Sequence, residues 1–228
     1  MQNKSSKYLK YAIGEILLVV IGILIAVQIN NWNESRKSQF QETKLVKQLL
    51  QDAIADSLFF QSRIQFQKMN DTLFNDLINF SMNPESDSIA NRSVNASPFF
   101  SRLAYQSNLI NNNPDAYDQV SNDSIKHKLR QYNARYEYVV QSIELSNRIR
   151  EQYGLPLQIA NSQKLNDLLD NTEVKIKDLD FITNDKNAIS TINQFKNFGL
   201  NYLIQVQNFL VVNEELKQML SRYLNNNE

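Results

Sequence analysis

The chain contains no cysteine among its 228 residues, and this absence excludes disulfide bonds, thiolate metal sites and cysteine nucleophiles. Its single histidine, His127, is flanked by lysines and cannot by itself make a zinc site of several histidines, so we expect a solvated surface residue. Glycine-rich phosphate loops and the G-x-S-x-G motif are also missing. We therefore predict no catalytic, cofactor-binding or metal-binding residues, no cofactor and no enzymatic activity.

An excess of charge of either sign is missing as well. Lysine plus arginine and aspartate plus glutamate each number 24, so the formal net charge is zero. A chain without a basic surface lacks the electrostatic footprint of a nucleic-acid-binding protein. We predict no nucleic-acid partner.

Turn-forming residues are scarce, with four glycines and four prolines in the whole chain. Because glycine and proline are the residues that most often end helices, their scarcity predicts long helices.

The most informative feature present is an apolar run that reaches from Tyr11 to Ile29 and is interrupted by Glu15. As a helix, this run would be about 28 Å long, against a hydrocarbon core of about 30 Å. Its isoleucine, leucine and valine residues contribute about −4 to −7 kcal/mol of insertion free energy, while a carboxylate near one end costs about 3 kcal/mol or less. Tyr8 and Trp32 fall at the two expected interfaces. We predict a transmembrane helix over residues 8–32, in contact with the lipid bilayer.

The alternative to an anchor is a cleaved signal peptide. No A-x-A-like site of small residues follows the run, which continues as Gln28-Ile29-Asn30, so we favour an uncleaved helix. Basic residues lie on both sides of the run. Short basic tails stay in the cytoplasm, whereas large domains can be translocated despite their charge. We therefore predict a single-pass protein of the inner membrane, with residues 1–7 as a cytoplasmic tail and residues 33–228 as a periplasmic helical domain.

Apolar residues recur at steps of three and four from Glu34 to Phe80, the spacing of a helix with one buried face. No glycine or proline separates this stretch from the anchor, so one helix is predicted from Tyr8 to Phe80, with a rise of roughly 100 Å. The remaining predictions are a loop at 84–97, a short helix at 98–110, an irregular segment at 114–120, a long helix from about 121 to 154, a loop with a short helix at 157–183, and a last helix from about 186 to 224.

These elements predict an all-α fold, in which an N-terminal transmembrane helix continues into an antiparallel helical bundle of three long helices plus short helices. A coiled coil is the related packing that we expect. Val174 to Ile176 suit an extended conformation, but the sequence shows no second strand to pair with them.

Two features of the sequence could have a function beyond supporting the fold. Gly22 and Ala26 form a small-xxx-small pair that shares a helix face with Glu15, and such pairs let helices approach closely. We favour the plainer interpretation, in which the carboxylate lies near the headgroups and the glycine has no special role. Tyrosines concentrate on the predicted second long helix, at Tyr132, Tyr136 and Tyr138. If the fold forms a polar pocket, we expect it there, because tyrosine combines an apolar body with a hydroxyl.

The stretch KYLKYAIGEILLVVIGILIAVQINNWNE, from Lys7 to Glu34, resembles the N-terminus of an uncharacterised family of Bacteroidota membrane proteins, domain of unknown function family 6090. Looser similarity covers Tyr105 to Ile110 and the L-R-Q-Y segment that ends at Tyr132. The resemblance implies a single-span protein with a helical body. It supplies no catalytic residues.

These observations favour a membrane-anchored helical interaction or scaffold module that is not catalytic, with a second copy or another membrane protein as its partner. The alternative is an extracytoplasmic ligand-sensing domain that acts through a membrane partner, because long juxtamembrane helices can transmit shifts.

Overall fold

The computed structural model describes residues 4–94, 102–103, 105–169 and 174–227, with side chains from residue 13 onward. The helices are α1 (Lys4–Met82), α2 (Asp87–Ala90), α3 (Asn108–Asn112), α4 (Ala116–Gln119), α5 (Asp123–Ile149), α6 (Leu155–Ala160), α7 (Ser162–Leu169), α8 (Asp180–Thr183) and α9 (Lys186–Asn227). The strands are β1 (Ser93–Val94) and β2 (Val174–Lys175). A π-helical turn covers Arg150–Gly154, and a 3₁₀ turn covers Ile176–Leu179.

Helix α1 is continuous over 79 residues, which confirms the single long helix predicted from the scarcity of glycine and proline. Its length is about 118 Å at 1.5 Å per residue. The helix ends at Met82 because Asn83 precedes Pro84, and a residue before proline is disfavoured in the helical conformation.

The first part of α1 packs against nothing in the described chain. The large apolar side chains from Ile13 to Ile29 are between 43% and 72% exposed, and none of the most apolar 18-residue window is buried. By length and composition this helix can cross a membrane, a property that signal sequences share. Burial in the bundle begins only at Glu42.

Beyond that point the buried residues of the three long helices recur in steps of three and four, with one step of seven on α5, where Tyr136 is partly buried. On α1 they include Glu42, Val46, Leu49, Ala53, Asp56 and Phe60. On α5 they include Ile125, Leu129, Tyr132, Val139, Ile143 and Ser146, and on α9 Ile192, Phe195, Gly199, Tyr202, Val206, Phe209, Asn213, Leu216 and Leu220. A mean spacing of 3.5 residues is typical of helices that pack side by side at a shallow angle.

Helix α9 lies antiparallel to α1, and the register of the pair is regular. Each contact lies fourteen residues further along α1 and fourteen residues earlier on α9: Gln39 with Asn227, Ala53 with Asn213, and Gln67 with Gly199. The last contact depends on glycine, because a Cβ at position 199 would lie 2.1 Å from the amide nitrogen of Gln67. The C-terminal end of α9 therefore returns to the part of α1 nearest the apolar segment.

Helix α9 is the central element, since it packs along both α1 and α5. The segment 105–121, which carries α3 and α4, contacts α1 on one side and α5 on the other, and we call it the strap. Its apolar residues Leu109, Ala116 and Val120 are buried in the same core as Val46 and Leu129. The strap thus supplies part of the core that the long helices share.

A second, smaller core lies at the far end of the bundle. There the end of α1, with Phe74 and Leu77, packs against Ile176 and Ile182 and against the start of α9. The two strands pair in antiparallel register, Ser93 with Lys175 and Val94 with Val174. An ion pair of 2.5 Å between Arg92 and Asp76 ties β1 to α1.

Several predicted boundaries were wrong. Residues 84–97 contain α2 and β1, and β1 is the partner strand that the sequence did not reveal. The short helix predicted at 98–110 begins only at Asn108, while its residues 98–101 and 104 lie outside the described part of the chain. The segment at 114–120 contains α4. The Ser107 side chain caps α3 by accepting a hydrogen bond from the Ile110 backbone N–H at 3.2 Å, and this cap fixes the later start of the helix.

The helical path also continues past Gly154 and Pro156, where we expected it to stop. The π-helical turn widens the helix at this point, and Pro156 then occupies the first turn of α6, where its missing N–H costs nothing. Gly154 packs against the Phe195 ring, since a Cβ there would lie 2.7 Å from that ring. The start of α5 is as predicted, with Asn122 accepting a hydrogen bond from the Ile125 amide.

The packing of the core predicts a contrast between two nearby positions on α9. Phe209 is fully buried between α1 and α5, whereas Val211 lies on the outer surface. We expect Phe209→Ala to lower the free energy of unfolding by about 3–5 kcal/mol, because it removes a buried ring and leaves a cavity. Val211→Ala should change it by less than about 0.5 kcal/mol. Chemical denaturation of the full chain in detergent, followed by circular dichroism, measures both; equal effects would contradict the packing described.

Candidate functional site

The most unusual polar residue in the bundle is Asp56, a fully buried aspartate on α1. It occupies a core position of the helix, between Ala53 and Phe60, where an apolar side chain would be expected. Burial of a carboxylate is costly unless hydrogen bonds compensate for the water that it loses.

Six donors surround this carboxylate, and five of them belong to the strap. Its Oδ1 atom accepts hydrogen bonds from the Tyr105 hydroxyl, from the Asn108 backbone N–H at 2.9 Å and from the Asn108 side-chain amide at 3.1 Å. Its Oδ2 atom accepts from the Ser107 hydroxyl at 2.5 Å, the Leu109 backbone N–H at 3.4 Å and the Tyr132 hydroxyl of α5 at 2.5 Å. All six donors are neutral groups, so the buried charge is stabilised by oriented dipoles.

Tyr136 extends this network to the backbone of the strap. Its hydroxyl accepts a hydrogen bond from the Ser107 N–H at 3.0 Å and donates one to the Tyr105 carbonyl at 3.2 Å. The ring of Tyr105 stacks on Phe59 at 3.9 Å between centroids. The strap is therefore held by both α1 and α5 at this level of the bundle.

The network raises the pKa of each tyrosine that lines it. Burial is the main cause for Tyr105 and Tyr132, and the hydrogen bond to the Asp56 carboxylate and its negative charge add to the effect. Burial likewise raises the pKa of Tyr136. Elsewhere in the core, burial raises the pKa of Tyr202 to about 12. These phenols remain protonated well above the ordinary range and act as hydrogen-bond donors.

Two further carboxylates of α1, both earlier in the helix than Asp56, bind later parts of the strap. Asp52 accepts hydrogen bonds from the side-chain amides of Asn112 and Asn113, at 3.1 and 2.9 Å. Glu42 accepts from both the backbone N–H and the hydroxyl of Ser121, at 2.7 and 2.9 Å. Acidic side chains of one helix thus fix the strap at three successive levels.

On α5, Asn147 holds the chain just before the strap. Its side-chain oxygen accepts from the Leu103 N–H at 2.9 Å, and its side-chain nitrogen donates to the Leu103 carbonyl at 2.7 Å. This pair of bonds satisfies a backbone segment that has no regular secondary structure.

The geometry of Asp56 suits a structural role better than a reaction. Both carboxylate oxygens accept several hydrogen bonds, and Asp56 is not among the residues that line five cavities in the described part of the chain. A cavity of about 130 Å³ lies instead at the end of α5, bordered by Arg102, Arg150 and Glu151. Within the part of the chain that the structure describes, no group of three or more histidine, aspartate or glutamate side chains is placed to hold a metal ion.

The residues that the sequence singled out divide between the network and the surface. Tyr132 and Tyr136 lie in the network, as expected for the place where polar groups converge, whereas Tyr138 is exposed. His127 is an exposed residue of α5, as predicted, with a ring nitrogen 2.9 Å from the Gln131 amide. Sequence reasoning missed Asp56, Ser107 and Asn108. An acidic residue in phase with the apolar stripe of α1 was the signal that could have found the first of them.

A family model described as "Family of unknown function (DUF6090)" matches residues 15–83. The matched segment covers the apolar part of α1 and its whole packed part, including Asp56 and the other two carboxylates that hold the strap. No curated protein matches the chain, and no solved structure matches it. The match supports a relation to an uncharacterised family and carries no activity with it.

The network predicts that Asp56 is among the most sensitive polar positions of the bundle. We expect Asp56→Asn to lower the free energy of unfolding by about 3 kcal/mol or more, because an amide nitrogen then faces donors that have lost a charged acceptor. Asp52→Asn is the matched control. It alters bonds to partners nearer the surface and should cost less than about 1 kcal/mol. Denaturant unfolding of both variants tests this, and equal losses would argue against a special role for the buried carboxylate.

The raised tyrosine pKa values predict an alkaline loss of stability. Unfolded tyrosine ionises near pH 10, whereas the buried phenols keep their protons, so their contribution is fully present below about pH 10 and is lost as the pH rises above it. Titration of the phenolate absorbance should show a group of tyrosines that ionise only as the bundle unfolds. In Tyr132→Phe the stability should fall less steeply with pH. A decline of unchanged steepness would contradict the assignment of Tyr132 to this group.

Proposed function

We propose that the protein is a membrane-anchored helical scaffold or interaction module without catalytic activity. The observation that carries this proposal is the exposure of the apolar segment from Ile13 to Ile29, on a helix that continues without a break into the packed bundle. A contiguous apolar surface of this size is unfavourable in water and is typical of a segment buried in lipid or against a partner. The length of this segment supports a single span.

The exposed residues 30–41 lie between the apolar segment and the first buried residue of the bundle. Twelve helical residues rise about 18 Å, which exceeds the headgroup layer of roughly 5–7 Å on each side of a bilayer. Trp32 lies at the start of this stalk, with the Arg36 guanidinium 5.9 Å from its ring centroid. An aromatic ring beside a cation suits the interface between lipid and water. The bundle would thus stand clear of the membrane surface.

For the orientation, we propose that the bundle lies outside the cytoplasm, on the periplasmic side of the inner membrane. The lysines at positions 4, 7 and 10 immediately precede the span and favour retention of that flank inside, whereas large domains translocate largely regardless of charge. A topology reporter fused after Glu228 tests this orientation independently of anchoring.

The absence of catalysis is supported by the use made of the most buried acidic side chain. The Asp56 carboxylate accepts hydrogen bonds that position the strap. Apolar core residues lie on either side of it and keep solutes away from the carboxylate. The partner of a scaffold of this kind would be another membrane protein or a second copy of the chain.

Membrane anchoring predicts a clear difference between two sets of arginine substitutions. In the double variant Val20→Arg with Leu24→Arg, two charges enter the middle of the apolar segment, and each costs about 2.5–3.5 kcal/mol on insertion. The protein should then leave the membrane pellet after an alkaline carbonate wash. Leu58→Arg, at an exposed position of the bundle, should leave it there. Retention of the double variant, or release of the unmodified chain, would contradict the proposed anchor.

A further inference from the structure

A cavity lies where the helical path leaves α5 and passes through the π-helical turn into α6. Its volume is about 130 Å³, and it is lined by Asn147, Arg150, Glu151, Leu155 and Gln158 on this path and by Arg102 opposite them. An engineered protein cavity of about 150 Å³ holds benzene, so there is room here for a ligand of about six non-hydrogen atoms. The exposed side chains of Arg102 and Glu151 lie at its rim, which opens to solvent. We call it the π-turn cavity.

One wall of the cavity is the chain just before the strap, and Asn147 fixes its position. This buried side chain accepts a hydrogen bond from the Leu103 N–H at 2.9 Å and donates one to the Leu103 carbonyl at 2.7 Å. Because both bonds are to the backbone, they hold the residue next to Arg102 against α5. Asn147 thus shapes the cavity and places Arg102 opposite the π-helical turn.

The other wall depends on the π-helical turn itself. There the Leu155 N–H donates to the Arg150 carbonyl five residues earlier, instead of to the carbonyl of Glu151 as in a regular α-helix. The wider turn brings Arg150 and Leu155 to the same side of the helical path, where both line the cavity. Single π-helical turns inside α-helices are frequent at functional sites.

The charges around the cavity leave an excess of one positive charge, since its lining contains two guanidinium groups and one carboxylate. Arg102 and Glu151 approach only to 3.9 Å, and both are exposed, so their mutual attraction is weak. Burial lowers the pKa of the Arg150 guanidinium, because the charged form loses water there. Arginine nevertheless stays charged at neutral pH, and a bound anion would offset the lost hydration.

We propose that the π-turn cavity binds a small organic carboxylate, with its carboxylate at Arg150 and Arg102 and a short apolar chain against Leu155. The planar donor fork of a guanidinium matches the two oxygens of a carboxylate. Leu155 and the methylene stems of the polar residues offer apolar contact to the rest of the ligand. A dianion fits less well, because only one positive charge is in excess and Glu151 repels it. This inference goes beyond the scaffold function and does not depend on membrane anchoring.

NMR of the arginine side chains tests the proposal directly. The full chain, labelled with nitrogen-15 arginine and held in detergent micelles, is titrated with sodium butyrate at constant ionic strength. We expect saturable shifts of the Nε–Hε signals of Arg150 and Arg102. The signal of Arg148 is the internal control, since this residue is exposed on the same helix but does not line the cavity. Butyramide has nearly the same shape without the charge and should shift neither signal.

Two variants test the two ends of the ligand. Arg150→Lys keeps the charge but loses the planar fork, so the dissociation constant of butyrate, followed at Arg102, should rise about ten-fold. Arg148→Lys is the matched control and should leave it unchanged. Leu155→Ala should weaken butyrate several-fold and acetate much less, because only butyrate reaches this side chain. Circular dichroism of each variant checks that the bundle is folded.

Equal shifts of all three arginine signals, or equal shifts with butyramide, would show a non-specific effect and would overturn the proposal. The same holds if Arg150 shows no saturable shift in folded protein. Inorganic phosphate that saturates the Arg150 signal at a lower concentration than butyrate would overturn the assignment to organic carboxylates. None of these outcomes bears on membrane anchoring, which the carbonate wash tests separately.

Discussion

One helix, α1, carries both an exposed apolar segment and a segment packed in the bundle, and the rest of the structure depends on this combination. The first part of α1 exposes its apolar side chains to the surroundings, while most apolar side chains after Glu42 are covered by other elements of the bundle, chiefly α9 and the strap. Because the hydrogen-bonded backbone runs through both parts without a break, the position of the bundle relative to the apolar segment is set by helix geometry alone. No flexible linker separates the two.

In the bundle, α9 and the strap share one apolar core with α1. Helix α9 contributes a regular antiparallel register, and the buried Asn213 donates its side-chain amide to the Ala53 carbonyl at 3.0 Å within that register. A polar residue in an otherwise apolar seam favours one alignment over its shifted alternatives, because a shift would leave the amide unpaired. The strap is fixed differently, by carboxylates of α1 that meet hydroxyl and amide groups. Apolar packing thus brings the helices together, and polar contacts select their alignment.

The long elements were predictable, and the short ones were not. Periodic apolar residues, with few glycines or prolines, identified α1, α5 and α9 almost to their ends. The strands β1 and β2 were not recognised together, because two residues carry no periodicity and their pairing joins distant parts of the chain. The helical path continued past Gly154, where a local rule predicted an end, and the missing side chain of this glycine leaves room for the Phe195 ring.

The sequence by itself determined the apolar run, the absence of cysteine chemistry and the all-α class, since these depend on composition and on spacing along the chain. Only the tertiary structure decided that Asp56 would meet Tyr105, Ser107 and Tyr132, because these residues come from three separate segments of the chain. The same is true of the side of α1 that stays uncovered. Which face of a helix is buried depends on where its neighbours pack, and that is a property of the assembled fold.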